Sequence, residues 1–136
     1  MAQNIETGRR GEDVACGFLI KNGFKILARN VRNKWGEIDV VAKDKDNAIV
    51  FIEVKTIRQN SWQATRQFGN PKVFAEFMPE DQMSPAKIKK FKRAAELLAN
   101  DSYAWLIKED AGWRLDFVGV IFDDSGAHTI RHYKNI

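Results

Sequence analysis

The stretch Ala48-Ile-Val-Phe-Ile-Glu-Val-Lys-Thr56 constrains the fold more than any other part of the chain. Its apolar run is that of a strand covered on both faces of a sheet. Yet it carries Glu53 and Lys55. A buried charge is costly unless it is paired or holds a metal. Residues two apart on a strand point to the same face. The chain therefore sets an acid and a base side by side at one edge of its core.

The flanking segments supply the rest of the fold. A helix is predicted from about Ile5 to Asn22, with Gly8, Gly11, Ala15, Phe18 and Leu19 on one face. Gly23 sits where a left-handed stop residue is expected. Phe24 to Val31 reads as a first strand, and Glu37 to Lys43 as a second with Ile38, Val40 and Ala42 on one face. The polar cluster Asp44-Lys-Asp-Asn47 turns the second strand into the third. Ser84-Pro85 opens a further helix, a cap residue followed by a first-turn proline, with the stripe Ile88, Phe91, Ala95 and Leu98. Tyr103 to Lys108 and Trp113 to Phe122 read as strands, and Ala127 to Tyr133 as a last edge strand. The order predicts an α/β domain over residues 1–136, a mixed sheet flanked by helices. Residues 58–85 hold Trp62, Phe68, Phe74 and Phe77 among breakers and read as an aromatic insertion or arm.

Composition narrows the class. With 136 residues, 44% of them hydrophobic, the chain can bury a sizeable core. Its net charge of +4 suits an acidic partner, most commonly nucleic acid. The single Cys16 cannot form an internal disulfide, which fits a reducing cytosol, and its expected place is the core. No apolar run is long enough to span a membrane, and no secretory leader is evident. A cytoplasmic protein without a membrane partner is expected.

Hairpin arithmetic adds a second acid. A turn centred near Asp46 pairs Lys43 with Ile49, Val41 with Phe51 and Asp39 with Glu53. Opposed side chains stand roughly 4.5–5.5 Å apart at Cβ, and two carboxylates so placed raise one another's pKa. A divalent cation relieves that conflict; Mg²⁺ is commonly held by one or two carboxylates plus waters and substrate phosphate. On the Glu53 face, the Lys55 ammonium can orient a water or stabilise charge on a phosphate. Asp39, Glu53 and Lys55 thus form a minimal site for phosphodiester hydrolysis. Glu12 falls close to the Ala15–Leu19 face, and Gly8 and Gly11 would let its helix approach the sheet. Glu37 alternates onto the Asp39 face, as an auxiliary ligand or a strand end. Arg9, Arg10, Arg29, Arg32 and Lys34, with Lys87 and Lys90 on the second helix, can extend a basic surface for backbone phosphates. Plainer readings stand beside these. Glu53 and Lys55 can be an ion pair on an edge strand, and the basic helix a solvated face. Two acids and one base, however, do not balance. His128 and His132 share a face but lack a third ligand.

The motifs Gly8-x-x-Gly11-Glu12-x-x-Ala15, Arg29-Asn30, Gly36-Glu37-Ile38-Asp39 and Phe51-Ile-Glu53-Val-Lys55-Thr56 resemble the YraN family of bacterial proteins, relatives of archaeal Holliday-junction resolvases. Lys87, Phe91 and Ala95 fit that family's next helix, and Arg114-Leu-Asp-Phe-Val118 its following strand. The resemblance implies a restriction-endonuclease-like fold of the PD-(D/E)xK type. It implies a Mg²⁺- or Mn²⁺-dependent nuclease on structured, branched or single-stranded DNA, in repair, recombination or DNA uptake. Asp39 and Glu53 would be metal ligands with the Val54 carbonyl, Lys55 would position water, and Glu12 would assist. It hints at a homodimer, since a resolvase needs two sites to cut two strands. A non-catalytic DNA-binding or scaffold protein of the same fold, or an RNA nuclease, remains the alternative. The length of residues 58–85 and the tail after Phe122 depart from the pattern.

Overall fold

Two helices cover opposite faces of one sheet, and strand alternation decides which residues each meets. The computed structural model describes residues 2–58 and 85–136, with side chains from residue 8 onward. The expected Ser84 cap and the aromatic arm with Trp62, Phe68, Phe74 and Phe77 lie outside those residues. The elements are α1 (Ala2–Lys21), β1 (Lys25–Asn33), β2 (Gly36–Lys43), β3 (Ile49–Arg58), α2 (Pro85–Asn100), β4 (Trp113–Phe122) and β5 (His128–Tyr133). The strands lie in the order β1-β2-β3-β4-β5. All neighbours are antiparallel except β3 and β4, which run parallel from Ile49↔Trp113 to Arg58↔Phe122. Parallel neighbours need a crossover, and α2 lies within it.

The core forms two main layers. Ala15, Cys16 and Leu19 of α1 pack on Val40, Ala42, Val50, Ile52, Val54, Val118 and Val120. Phe91, Ala94, Ala95 and Leu98 of α2 pack on Ile38, Val41, Ile49, Phe51 and Leu115. Both faces of β3 are therefore buried, as its continuous apolar run requires. This mixed sheet between helices is the α/β arrangement that the order of elements predicts. Gly23 ends α1 at φ 88°. Among the described residues no helix is long and apolar enough to cross a membrane.

Two local expectations change. Residues 103–108 do not form a strand: Ala104–Leu106 is a 3-10 turn. The Tyr103 N–H donates to the Leu98 carbonyl at 2.8 Å and closes α2, so the backbone is satisfied locally. Tyr103, Leu106 and Ile107 all pack on the α2 layer, which is not a period of two. Secondly, Ile38 does not share a face with Val40 and Ala42. It packs in the α2 layer, whereas they pack under α1. The phase slips at Asp39. The β1–β2 register stays constant from Arg29↔Val40 to Val31↔Ile38, but Asn30, between Arg29 and Val31, adopts φ 54°.

The approach of α1 to the sheet depends on Gly11. A Cβ there would lie 1.7 Å from Thr56 Oγ1 of β3, so only glycine fits. A Cβ at Gly8 would meet nothing within 4 Å, which limits the close-approach role to Gly11. At the far end of the sheet, Asp116 is wholly buried yet fully satisfied. It accepts from Arg114 Nε at 3.0 Å and the Asn135 N–H at 3.0 Å, and pairs with His132 Nε2 at 2.7 Å. Arg114 also pairs with Asp44, whose Oδ1 accepts the Asp46 and Ala48 N–H groups at 2.9 Å. His132 is thus committed to Asp116, and His128 lies beside the Phe122 ring.

Gly11→Ala should lower stability by about 1–3 kcal/mol through overpacking. Gly8→Ala, in the same helix, should instead raise it by roughly 0.5–1 kcal/mol. Urea unfolding of both variants checks this; equal losses at the two positions would remove the contact as the cause.

Candidate functional site

The site begins where β2 and β3 part. Their ladder runs from Lys43↔Ile49 to Val40↔Ile52, in the register predicted from the turn, and stops there. Beyond it β2 stays paired with β1, and β3 with β4. Asp39 and Glu53 are consequently not a ladder pair. The Val54 N–H donates instead to Asp39 Oδ2 at 2.8 Å. A side chain has taken the place of a backbone carbonyl, and the two strands diverge around it.

Two clefts open at this divergence and share Lys55. One, of about 440 Å³, lies on the α1 side and is lined by Glu12, Asp39, Val54, Lys55 and Arg58. The other, of about 350 Å³, lies on the α2 side and is lined by Trp35, Glu37, Glu53, Lys55, Lys87 and Lys90. Glu12 reaches the first cleft because Gly11 sets α1 against Thr56. Asn30, its amide nitrogen turned to the carboxylates, donates to Glu12 Oε1 at 3.0 Å and to Glu37 Oε1 at 2.9 Å. It ties the helix to β2 across the cleft rim.

The electrostatics of this cluster are unbalanced. Burial, followed by the charge of Asp39, pushes Glu53 up to about 8. Burial also raises Asp39 to about 6, against the bond from the Val54 N–H, with Glu12 and Glu37 adding to the rise. Glu12 is raised too, chiefly by burial, although Arg29 opposes it. Lys55 lowers both Asp39 and Glu53 but does not offset the other causes. The far-end network behaves oppositely: hydrogen bonds and Arg114 hold Asp44 and Asp116 below the ordinary carboxylate range despite burial. Among the described residues, no group of three or more His, Cys, Asp or Glu side chains is arranged to hold a metal ion by itself.

The predicted basic residues divide. Lys87 and Lys90 line the α2-side cleft with Glu53. Arg29 instead pairs with Asp13 at 2.8 Å, and Arg32 with Glu37 at 2.9 Å. Arg9 is exposed on α1, the Arg10 guanidinium lies 4.8 Å over the Phe122 ring, and Lys34 lies 5.6 Å from the Trp35 ring. Sequence reasoning did not single out Trp35, and it named Asn30 and the Arg114–Asp116 segment only within the resembling motifs, without a role. Asp116 had the same signal as Glu53, a lone acid in a continuous apolar strand. Asn30 had a weaker one, since Asn is among the few residues that tolerate a positive φ.

The mixed sheet, its flanking helices and the parting of β2 from β3 define an α/β domain with a charged cleft at a strand divergence. The chain belongs to the uncharacterised protein family UPF0102, whose profile matches residues 11–120; this is the YraN family. A UPF0102 protein of Pelobacter propionicus is 34% identical over 136 residues, covering 97% of this chain and 82% of the relative. One from Syntrophomonas wolfei is 35% identical, covering 97% of both chains. Among solved structures, Pyrococcus furiosus SfsA in complex with Ca²⁺ is a distant likeness, 14% identical with a TM-score of 0.37. The match covers 96% of this chain but 63% of SfsA, less than two thirds of its length.

The raised carboxylates predict a pH dependence of stability. Folded Glu53 and Asp39 keep protons that the unfolded chain releases above its ordinary values of 4.5 and 3.8. Stability therefore falls as pH rises from about 4 to about 8, and levels off beyond. In chelator, the melting temperature should drop from pH 5 to pH 8, and Glu53→Gln should flatten the upper part of that drop. An identical slope in the variant would show that Glu53 is not the group responsible.

Proposed function

We infer that this protein is a Mg²⁺- or Mn²⁺-dependent nuclease that hydrolyses phosphodiester bonds of nucleic acid, with DNA as the expected substrate. One observation carries the reading. Glu12, Glu37, Asp39 and Glu53 gather about Lys55, and burial and mutual repulsion raise Glu12, Asp39 and Glu53. Such frustration is costly to the fold and is typical of functional sites. The donor chemistry fits a hard divalent cation, because it consists of carboxylate oxygens with no thiol or imidazole.

Asp39 and Glu53 would hold the cation, with the Val54 carbonyl as a backbone ligand. When bound, the cation supplies a lowered water pKa and neutralises phosphate charge. Lys55, shared by both clefts, orients the attacking water and stabilises the negative charge that develops on the phosphate. Glu12, steered by Asn30, accepts a hydrogen bond from that water and fixes its direction. Lys87 and Lys90 attract the phosphate backbone from the α2 side, and Arg9, Arg10 and Lys34 extend the basic surface. Arg29 and Arg32 act first within the protein, through Asp13 and Glu37.

A second reading is a nucleic-acid-binding protein of this fold without catalysis. Purified protein incubated with single-stranded, flapped and four-way DNA and structured RNA, in Mg²⁺ or Mn²⁺, separates the two. Lys55→Ala should cut the cleavage rate by about a hundredfold or more. Cleavage equal in wild type, Glu53→Ala and Lys55→Ala would sink the mechanism. Tight binding with no cleavage would select the second reading. Calorimetry with Mn²⁺ should lose its signal in Asp39→Asn; a full signal would move the ligand set elsewhere.

A further inference from the structure

The β1–β2 hairpin tip carries an aromatic ring that the hydrolytic chemistry does not use. Trp35 is 38% exposed and lines the same cleft as Glu53 and Lys55. Its position is fixed through Asn33. The Trp35 backbone N–H donates to Asn33 Oδ1 at 2.9 Å, and Asn33 Nδ2 donates to the Ala94 carbonyl of α2 at 3.1 Å. The hairpin tip is thereby tied to the helix that bears Lys87, Lys90 and Arg93. Two cations lie over the indole, with Lys34 Nζ 5.6 Å and Arg93 Cζ 5.1 Å from the ring centroid. The indole shares its cleft with Phe91 and Ala94 as well as with Lys87 and Lys90, so it is partly packed, yet it keeps an open part and two cations over its ring.

We propose that Trp35 is a stacking platform for an unpaired nucleobase beside the scissile phosphate, which makes the preferred substrate a single-stranded or flapped strand rather than intact duplex. The proposal rests on the nuclease reading above and names the substrate class of that site. Within a duplex both faces of a base are already stacked, so only an unpaired base offers a face to the indole. Base–aromatic stacking tolerates any sequence, because every base has a π-face. A base that displaces either cation from the ring leaves that cation to meet the flanking phosphate. Lys90, on the same cleft wall, extends the cationic path from Trp35 toward Lys55.

The test is binding without cleavage. Fluorescence anisotropy in chelator compares a labelled single strand, the same sequence as blunt duplex, and an abasic oligonucleotide of equal length. Trp35→Ala should weaken single-strand binding about tenfold, and Trp35→Phe by less than about threefold, with duplex binding little changed. Wild type should bind the abasic strand about as weakly as Trp35→Ala binds the intact one. Equal losses on single strand and duplex, no loss on either, or no single-strand binding by wild type would each overturn the proposal. A melting curve of Trp35→Phe guards against misfolding. Failure of the nuclease reading would show separately, as stacking-dependent binding with no metal-dependent cleavage.

Discussion

The hydrogen bond from the Val54 N–H to Asp39 Oδ2 marks the point on which the site's geometry turns. Up to Val40↔Ile52 the two inner strands are ordinary ladder partners, buried on both faces. A buried N–H must find an acceptor. Asp39 supplies one from its side chain, so β2 is released from β3 while each keeps its outer neighbour. The divergence opens a cleft on each side, and the acids and lysine of the site stand at its apex. The same residue that ends the sheet pairing is thus the one whose carboxylate is available to the site.

The sheet carries a polar cluster at each end, and their energetics contrast. Asp44, Arg114, Asp116 and His132 form a closed network in which the buried acid is bonded on both oxygens and its ionised form is favoured. It binds the β2–β3 turn, β4 and β5 into one body. The Glu12–Asp39–Glu53 group has Lys55 against three carboxylates, and its ionised forms are disfavoured. Both clusters begin from an isolated acid in an apolar strand. One is internally satisfied, whereas in the other burial and mutual repulsion outweigh Lys55, and this difference separates scaffold from candidate site.

Basic residues follow the same logic. Arg29 and Arg32 look like phosphate contacts in a linear reading, yet folding places Asp13 and Glu37 within hydrogen-bond reach of them. Lys87 and Lys90 look like any solvated helical face, yet α2 docks so that they border the cleft holding Glu53. Local charge patterning does not distinguish these cases, because Asp13 reaches Arg29 only when α1 packs on the sheet, and Glu37 faces Arg32 only when β1 pairs with β2. The same limit explains residues 103–108. Their apolar content suggests a strand, but α2 ends immediately before them and the backbone continues in a turn that closes the helix.

Most local elements, and the charged fault in a buried strand, are legible in the order of residues. Periods of two and of 3.6, a polar turn and a first-turn proline at Pro85 are properties of neighbouring residues. The hairpin register from Lys43↔Ile49 to Val41↔Phe51 follows from turn position alone. Packing in three dimensions sets Ile38 out of phase with Val40, makes Gly11 rather than Gly8 the residue that admits Thr56, and brings Asn30 between Glu12 and Glu37. It also decided that Asp39 and Glu53 line different clefts joined by Lys55, and that Trp35 is held against α2. These relations depend on separation in space and on loss of water around charges. Both come into being only when helices and sheet pack together.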